Sequence, residues 1–286
     1  MANLKEIRNR ITSIKSTMQI TSAMKMVSAA KLKKAQDAIT AMRPYSSKLT
    51  ELLQSLSATL DSDASGVYST QREVNKVLLV TITSNRGLCG GFNSSIVKRT
   101  IKAIDEKYNG VTVDLVTIGK KGDDILSKEH TVIENRNDIF DDLTFDNVAE
   151  IAENLMNLYV TGAYDKIELV YNQFKNAATQ LPQLEQFLPI EPIESNESVS
   201  SDYVFEPSKE EIVLALIPKS LKTQLYKAIR DSYASEHGAR MTAMHKATDN
   251  ATELRDELLL TYNKARQAAI TNEILEIVGG AEALNN

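Results

Sequence analysis

Stepping from Leu4 by alternate threes and fours meets Leu4, Ile7, Ile11, Ile14, Met18, Thr21, Lys25, Ser28, Leu32, Ala35, Ile39, Met42, Ser46, Leu49, Leu53, Leu56 and Leu60. Thirteen of these 17 positions are apolar. A mean spacing of 3.5 residues makes the seam of a coiled coil, not the broader stripe of a lone surface helix. So narrow a seam over so long a helix must be covered by a second helix. The polar cluster Thr21, Lys25 and Ser28 interrupts it, and Met24 and Val27 beside it predict a sideways shift of the stripe. Pro44 predicts a kink or interruption near Arg43. The first element is therefore expected over 1–60.

The covering helix is found at the other end. Residues 208–286 read as helix almost throughout, with Pro218 a kink point near the start. Met241, Met244, Thr248, Ala251, Leu254, Leu258, Tyr262 and Ala265 form one stripe. At about 1.5 Å per residue the second helix reaches roughly 115 Å and the first about 85 Å. Paired antiparallel, the second overshoots by about twenty residues. Those residues include Ile270, Ile274, Leu275, Ile277 and Val278, apolar on most sides. A helix of that kind is buried in something, so a partner is expected to supply a socket.

Between the ends, over 74–207, the pattern changes period. Val77-Leu78-Leu79-Val80-Thr81-Ile82 reads as a buried strand. A helix follows at 93–108, a strand at 111–118, a short helix at 122–127, a strand at 131–134, a helix at 146–159 and a strand at 166–174. Alternation of this kind predicts a mostly parallel sheet. The segment 181–207, rich in Pro, Ser and Glu, reads as connecting loops. The fold class is thus α/β: a long antiparallel two-helix coiled coil of the terminal helices plus a central Rossmann-like domain.

Charge is distributed unevenly. Residues 1–48 carry ten Lys and Arg against Glu6 and Asp37, a net +8, so a total of −5 leaves −13 for the remainder. A basic arm on an acidic body points to an acidic partner. No run of 18 apolar residues is present, so no transmembrane helix is expected. The start, Met1-Ala2-Asn3-Leu4-Lys5-Glu6-Ile7-Arg8, has no apolar core, so no secretory signal is expected. Cys89 is the only cysteine, which excludes an intrachain disulfide.

Chemistry is sparsely signalled. Arg86-Gly87-Leu88-Cys89-Gly90-Gly91-Phe92-Asn93 sits where dinucleotide folds carry their phosphate loop, but neither its spacing nor that of Gly119-Lys120-Lys121-Gly122 fits a phosphate motif. A tight strand-to-helix turn with positive φ accounts for Gly87, Gly90 and Gly91. Ser235-Glu236-His237 are consecutive on a helix and not convergent as a triad requires. His130, His237 and His245 are too scattered for a metal site, and no cofactor is expected. The basic arm lacks interleaved aromatics and sits around a heptad seam, so a solvated or partner-facing coiled-coil face is favoured over a nucleic-acid interface.

Four stretches together resemble the γ subunits of F-type ATP synthases over essentially the whole chain. They are Ile11-Thr12-Ser13-Ile14-Lys15 through Gln19-Ile20-Thr21-Ser22-Ala23-Met24-Lys25-Met26-Val27-Ser28-Ala29-Ala30-Lys31, the turn at 86–93, Ala239-Arg240-Met241-Thr242-Ala243-Met244, and Ile270-Thr271-Asn272-Glu273-Ile274-Leu275-Glu276-Ile277-Val278-Gly279-Gly280-Ala281-Glu282-Ala283. One departure is Asn85, where the family more often has aspartate before Arg-Gly. The inserted cysteine pair of the chloroplast branch is absent.

The resemblance implies a non-catalytic central-stalk rotor on the cytoplasmic face of the bacterial inner membrane. Its partners would be the α3β3 hexamer, an ε subunit and the membrane c-ring. Carried over by position, Met24, Lys25 and Arg240 are expected at the neck facing a β subunit. Gln267, Thr271, Glu273 and Glu276 are expected on the upper helix near the hexamer, and Tyr203 and Glu206 against the c-ring loops.

Overall fold

Residues 77–82 are buried without a break, which requires apolar cover on both faces of the strand. The structure, a computed structural model, describes residues 4–57, 67–190 and 209–284. Strand β1 (Lys76–Ile82) lies at the centre of a five-stranded sheet of order β3-β2-β1-β4-β5. It pairs in parallel with β2 (Thr112–Ile118) and β4 (Lys166–Phe174), and β2 pairs in parallel with β3 (Val132–Asn135). The last strand, β5 (Gln180–Leu188), runs antiparallel to β4.

One face packs Val77, Leu79 and Leu115 on Ile96 and Val97 of α2 (Phe92–Lys102) and Leu126 of α3 (Lys120–Leu126). The other packs Leu78, Val80 and Ile82 on Ile151 and Leu155 of α4 (Phe145–Val160) and on Leu221 and Leu225 of α5 (Lys209–Leu284). Helix α2 closes in a single π turn, Ala103–Lys107. Thr144 caps α4, its side chain accepting from the Asn147 N–H, which satisfies one of the first-turn donors.

The loop expected from residue 181 onward is, as far as Leu188, strand β5. Its sequence, Gln-Leu-Pro-Gln-Leu-Glu-Gln-Phe-Leu, alternates poorly and contains Pro182. An edge strand tolerates that proline, because one side of its backbone has no ladder to feed. The remainder of that call, 191–207, lies outside the described residues.

By internal contacts the chain divides into two compact units. One comprises α1 (Leu4–Ser57) up to Ser28 together with α5 from Met241, and the other is Ala29–Arg240. Within the first unit the helices run antiparallel. Lys25 Nζ lies 3.4 Å from His245 Nδ1, Thr21 Oγ1 lies 2.8 Å from Thr248 Oγ1, and Arg8 donates to the Tyr262 hydroxyl at 2.8 Å. Partner numbers rise as α1 numbers fall.

The predicted seam is buried in phase: Ile7, Ile11, Thr21 and Ser28 in this unit, and Leu32, Ala35, Ile39 and Leu49 in the other. The expected sideways shift does not occur. Thr21 (8 % exposed) and Ser28 (2 %) hold their seam positions, whereas Val27 is 58 % exposed. Each hydroxyl also reaches a carbonyl one turn back on its own helix, Thr21 that of Thr17 at 3.0 Å and Thr248 that of Met244 at 2.8 Å, so either can be the donor in the Thr21–Thr248 pair. A small hydroxyl with a partner is tolerated where an unpaired one would cost about 1–3 kcal/mol.

The facing stripe on α5 differs at one position. Leu254 is exposed and Arg255 is half-buried in its place. Alternating steps of four and three from Met244 reach Thr248, Ala251, Arg255, Leu258, Tyr262 and Ala265, and the phase overrides the apolar character of Leu254. The aliphatic stem of Arg255 covers the seam while its guanidinium pairs with Asp256 at 2.7 Å. Helix α1 also continues through Pro44 and does not end there.

Candidate functional site

The turn after β1 is built around Ser84. Its N–H donates to Asn93 Oδ1 at 3.0 Å, Asn93 Nδ2 donates back to Ser84 Oγ at 2.9 Å, and Ser84 Oγ donates to the Arg86 carbonyl at 2.6 Å. Positive φ occurs at Gly90 (59°) and at Leu88 (62°), which accepts the strain without being glycine. Gly87 and Gly91 do not need it. Gly91 has φ −82°, and a Cβ added at Gly87 would meet nothing within 4 Å. The expectation that left-handed backbone explains all three glycines is therefore corrected to Gly90 alone.

Carbonyl oxygens of this turn face α5. Arg240 Nη2 donates to the Arg86 carbonyl at 3.0 Å and the Gly87 carbonyl at 3.3 Å, while Nη1 donates to Glu236 Oε1 at 2.6 Å. A phosphate cradle presents N–H groups, whereas this turn presents acceptors to a cation. The neighbouring helix start is equally committed. The N–H groups of Lys120, Lys121 and Gly122 go to Asn85 Oδ1, the Ser84 carbonyl and Thr83 Oγ1. Asn85 uses both ends of its amide, since Nδ2 donates to the Asn137 carbonyl at 2.8 Å. An aspartate there would keep the first bond and lose the second.

Burial governs the titratable groups here. It pushes the Glu236 carboxyl up from its ordinary value, with Arg240 opposing. It pushes His237 down to about 3, reinforced by Arg240 and Lys31. His237 is therefore neutral at pH 7, its ring edge-on to Tyr233 with centroids 4.5 Å apart. The Cys89 thiol is also raised, chiefly by burial, which makes it a packed thiol and not a nucleophile. Among the described residues no cluster of His, Cys, Asp and Glu has metal-binding geometry, and no helix is long and apolar enough to cross a membrane.

The helical-pair unit carries a different kind of site. Met24 and Lys25 are half-buried, while Ile20, Met26 and Val27 are exposed on α1. Extending the Arg8–Tyr262 pairing by one turn sets Leu4, the first described residue, opposite Arg266. Residues 267–284 then continue past the first described residue of α1, and every side chain described from 266 to 281 is exposed. Gln267, Thr271, Glu273 and Glu276 lie on this stretch, with Thr271 Oγ1 donating to the Gln267 carbonyl at 3.0 Å. Tyr203 and Glu206 lie outside the described residues. The exposed Ile20, Met26 and Val27 were not read from the sequence as a contact surface, Val27 having been read as part of a shifted seam, although apolar residues out of phase with a seam were the available signal.

A family model described as ATP synthase matches residues 3–284, which fixes the class of protein. The chain is 75 % identical to the ATP synthase gamma chain of Flavobacterium johnsoniae over 286 residues, all of both chains. It is 67 % identical to that of Christiangramia forsetii, again covering all of both chains. This protein belongs to the ATP synthase gamma chain family. Among solved structures, a chain of the Tetrahymena thermophila mitochondrial ATP synthase central stalk and c-ring is similar, with TM-score 0.59 and 28 % identity over 80 % of this chain and 99 % of that one. A rotor chain of the Euglena gracilis mitochondrial enzyme shares the fold, with TM-score 0.68 at 22 % identity over 93 % and 98 % of the two chains.

Proposed function

We propose that the chain is the central shaft of a rotary ATP synthase. It does no chemistry itself and couples rotation of a membrane c-ring to ATP synthesis or hydrolysis at the β subunits of an α3β3 hexamer. The observation that carries this reading is the free end of α5, where Ile270, Ile274, Leu275, Ile277 and Val278 are all exposed. So apolar a helix calls for an apolar sleeve, and an axial opening in a hexamer provides one. Rotation then sets a different face of an asymmetric shaft against each β subunit in turn. Differential contact of that kind shifts nucleotide affinity site by site.

In this reading 1–60 and 208–286 form the shaft and 74–207 the foot. Met24 and Lys25 meet the hexamer at the neck, and Gln267, Thr271, Glu273 and Glu276 meet it higher up. Arg240, expected beside Met24 and Lys25, is 7 % exposed with its guanidinium held by the Arg86 and Gly87 carbonyls and Glu236, so it is given no contact with the hexamer. Tyr203 and Glu206 meet the polar loops of the c-ring, beside an ε subunit. The net +8 of residues 1–48 suits acidic loops on the hexamer. Attachment to the cytoplasmic face of the bacterial inner membrane is peripheral, through the c-ring. The isolated chain is expected to hydrolyse no ATP and yet to capture a nucleotide-hydrolysing hexamer from a membrane extract. ATPase activity in the pure chain, or a pull-down without the hexamer, sinks the proposal.

A further inference from the structure

Two loops at the carboxyl ends of the parallel strands, together with the strand and helix residues that flank them, close on one short piece of α5, residues 235–240. From the β4–β5 hairpin, the Asn172 carbonyl accepts Ser235 Oγ at 3.0 Å. The same hairpin presses so closely on Gly238 that a Cβ there would lie 3.1 Å from Ala177 Cα. From the β1–α2 turn, the Arg86 and Gly87 carbonyls accept Arg240 Nη2, and Ala239 packs against Cys89 and Phe92. The flanks of the two loops are tied to each other, since Asn172 Nδ2 of β4 donates to the carbonyl of Phe92, the first residue of α2, at 3.0 Å. Glu236 holds the free arm of the guanidinium at 2.6 Å.

A helix gripped by hydrogen bonds and close packing from two linked loops cannot turn about its axis without breaking buried contacts. Hydrogen bonds to a buried charged donor are the strong ones, and neither Ser235 (0 % exposed) nor Arg240 (7 %) is open to competing water. We infer that residues 235–240 form a torque anchor, with Ser235 and Arg240 as positioning residues that make the sheet and α5 rotate as one piece. The backbone is what the loops offer, so the grip does not depend on side chains of the turn. Helix α5 continues without a break from this point to Leu284. This rests on the rotor reading and adds to it a polar anchor beyond the apolar packing of Leu221 and Leu225 on the sheet.

The test uses the assembled complex in lipid vesicles, comparing the ion gradient formed per ATP hydrolysed with the amount of complex assembled. Arg240→Ala is expected to keep hydrolysis while the gradient per ATP falls several-fold, with Arg240→Lys intermediate. Ser235→Ala is expected to lower the same ratio more mildly. Because Ser235 is wholly buried it touches no partner, so its effect reports the anchor and not a contact surface. An unchanged ratio in both alanine variants overturns the inference, as does a loss confined to Arg240→Ala, which marks that residue as an outward contact. If Arg240→Ala does not assemble, Ser235→Ala decides alone, and an unchanged ratio there refutes the anchor. Failure of the rotor reading looks different, because the wild-type complex then forms its gradient equally well without this chain.

Discussion

The α/β unit and the helical pair handle polarity in opposite ways. In the unit 29–240, the large apolar side chains of β1 and β4 are inside, and the polar groups that join them are held by named partners. In the helical pair, Thr21 and Ser28 occupy the seam while Ile20, Met26, Val27, Ile274, Leu275 and Ile277 face outward. The first arrangement maximises the stability of the chain by itself. The second spends apolar surface outside the chain, where only another molecule can cover it. Substitutions in the two regions should therefore be read out by different measurements.

The sharpest break of that contrast is a truncation in the sheet. Leu79 is fully buried between β1 and α2, and Leu79→Ala is expected to cost about 2–5 kcal/mol. Denaturant unfolding of the isolated chain measures it. A loss below about 1 kcal/mol would mean that the unit is packed no more tightly than the helical pair.

The same contrast decides how much was legible in the sequence. Two signals were strong because each is a period: the 3–4 alternation over α1 and the continuous apolar run of β1. The antiparallel pairing and the free end of α5 followed from helix length and seam phase. What failed was local character read without phase, as with Leu254 for Arg255, or the supposed shift at Met24 and Val27. Strand β5 was hidden because only its pairing to β4 makes a Pro-containing, weakly alternating stretch a strand. The role of Arg240 was hidden for a stronger reason. Its acceptors, the carbonyls of Arg86 and Gly87, lie 154 and 153 residues away in sequence and are backbone groups with no sequence signature.

A second test concerns acid. His237 has its folded pKa pushed down to about 3 from 6.5, so the unfolded chain binds the proton first. Its contribution is present above pH 6.5 and is lost as pH falls towards 3. Each unit in that window costs at most about 1.4 kcal/mol. Glu236 acts with the opposite sign. Its folded carboxyl is raised by burial, so its protonation favours the folded state as pH drops. Arg240 and Lys31 are the cations that act on both groups, and Arg86 also acts on Glu236. His237→Phe keeps the ring packed on Tyr233 and removes the titration. Its stability profile between pH 6.5 and 4.5 is expected to be flatter than wild type by about 2 kcal/mol. Parallel profiles would show that His237 is hydrated in solution.

Within the helical pair, the largest stability effect belongs to the polar seam. Thr21→Val keeps the shape but removes the inter-helix bond and leaves Thr248 only the Met244 carbonyl of its own helix, for a loss of about 1 kcal/mol. Thermal unfolding of Thr21→Val, Thr248→Val and the double variant separates the pair from the single sites. A double variant as stable as wild type would show that the hydroxyls set register and add no stability of their own, since a matched apolar pair replaces them.

The smallest expected change in stability sharpens the contrast most. Ile274 and Ile277 are 55 % and 66 % exposed, so replacing both with Gln removes little buried surface from the isolated chain. Exposed substitutions of this kind stay within about 0.5 kcal/mol, and Gln is nearly as good a helix former as the residues around it. Seated in an apolar sleeve, however, the same two amides would be buried without partners, at about 1–3 kcal/mol each. The doubly substituted chain is therefore expected to melt with wild-type behaviour and to be recovered poorly with the hexamer. Equal recovery would mean that the end of α5 is solvated in the complex, and the apolar face of the helix would then need another occupant. Reduced stability of the isolated chain would instead place these side chains against the chain itself, which the exposure of every described residue from 266 to 281 argues against.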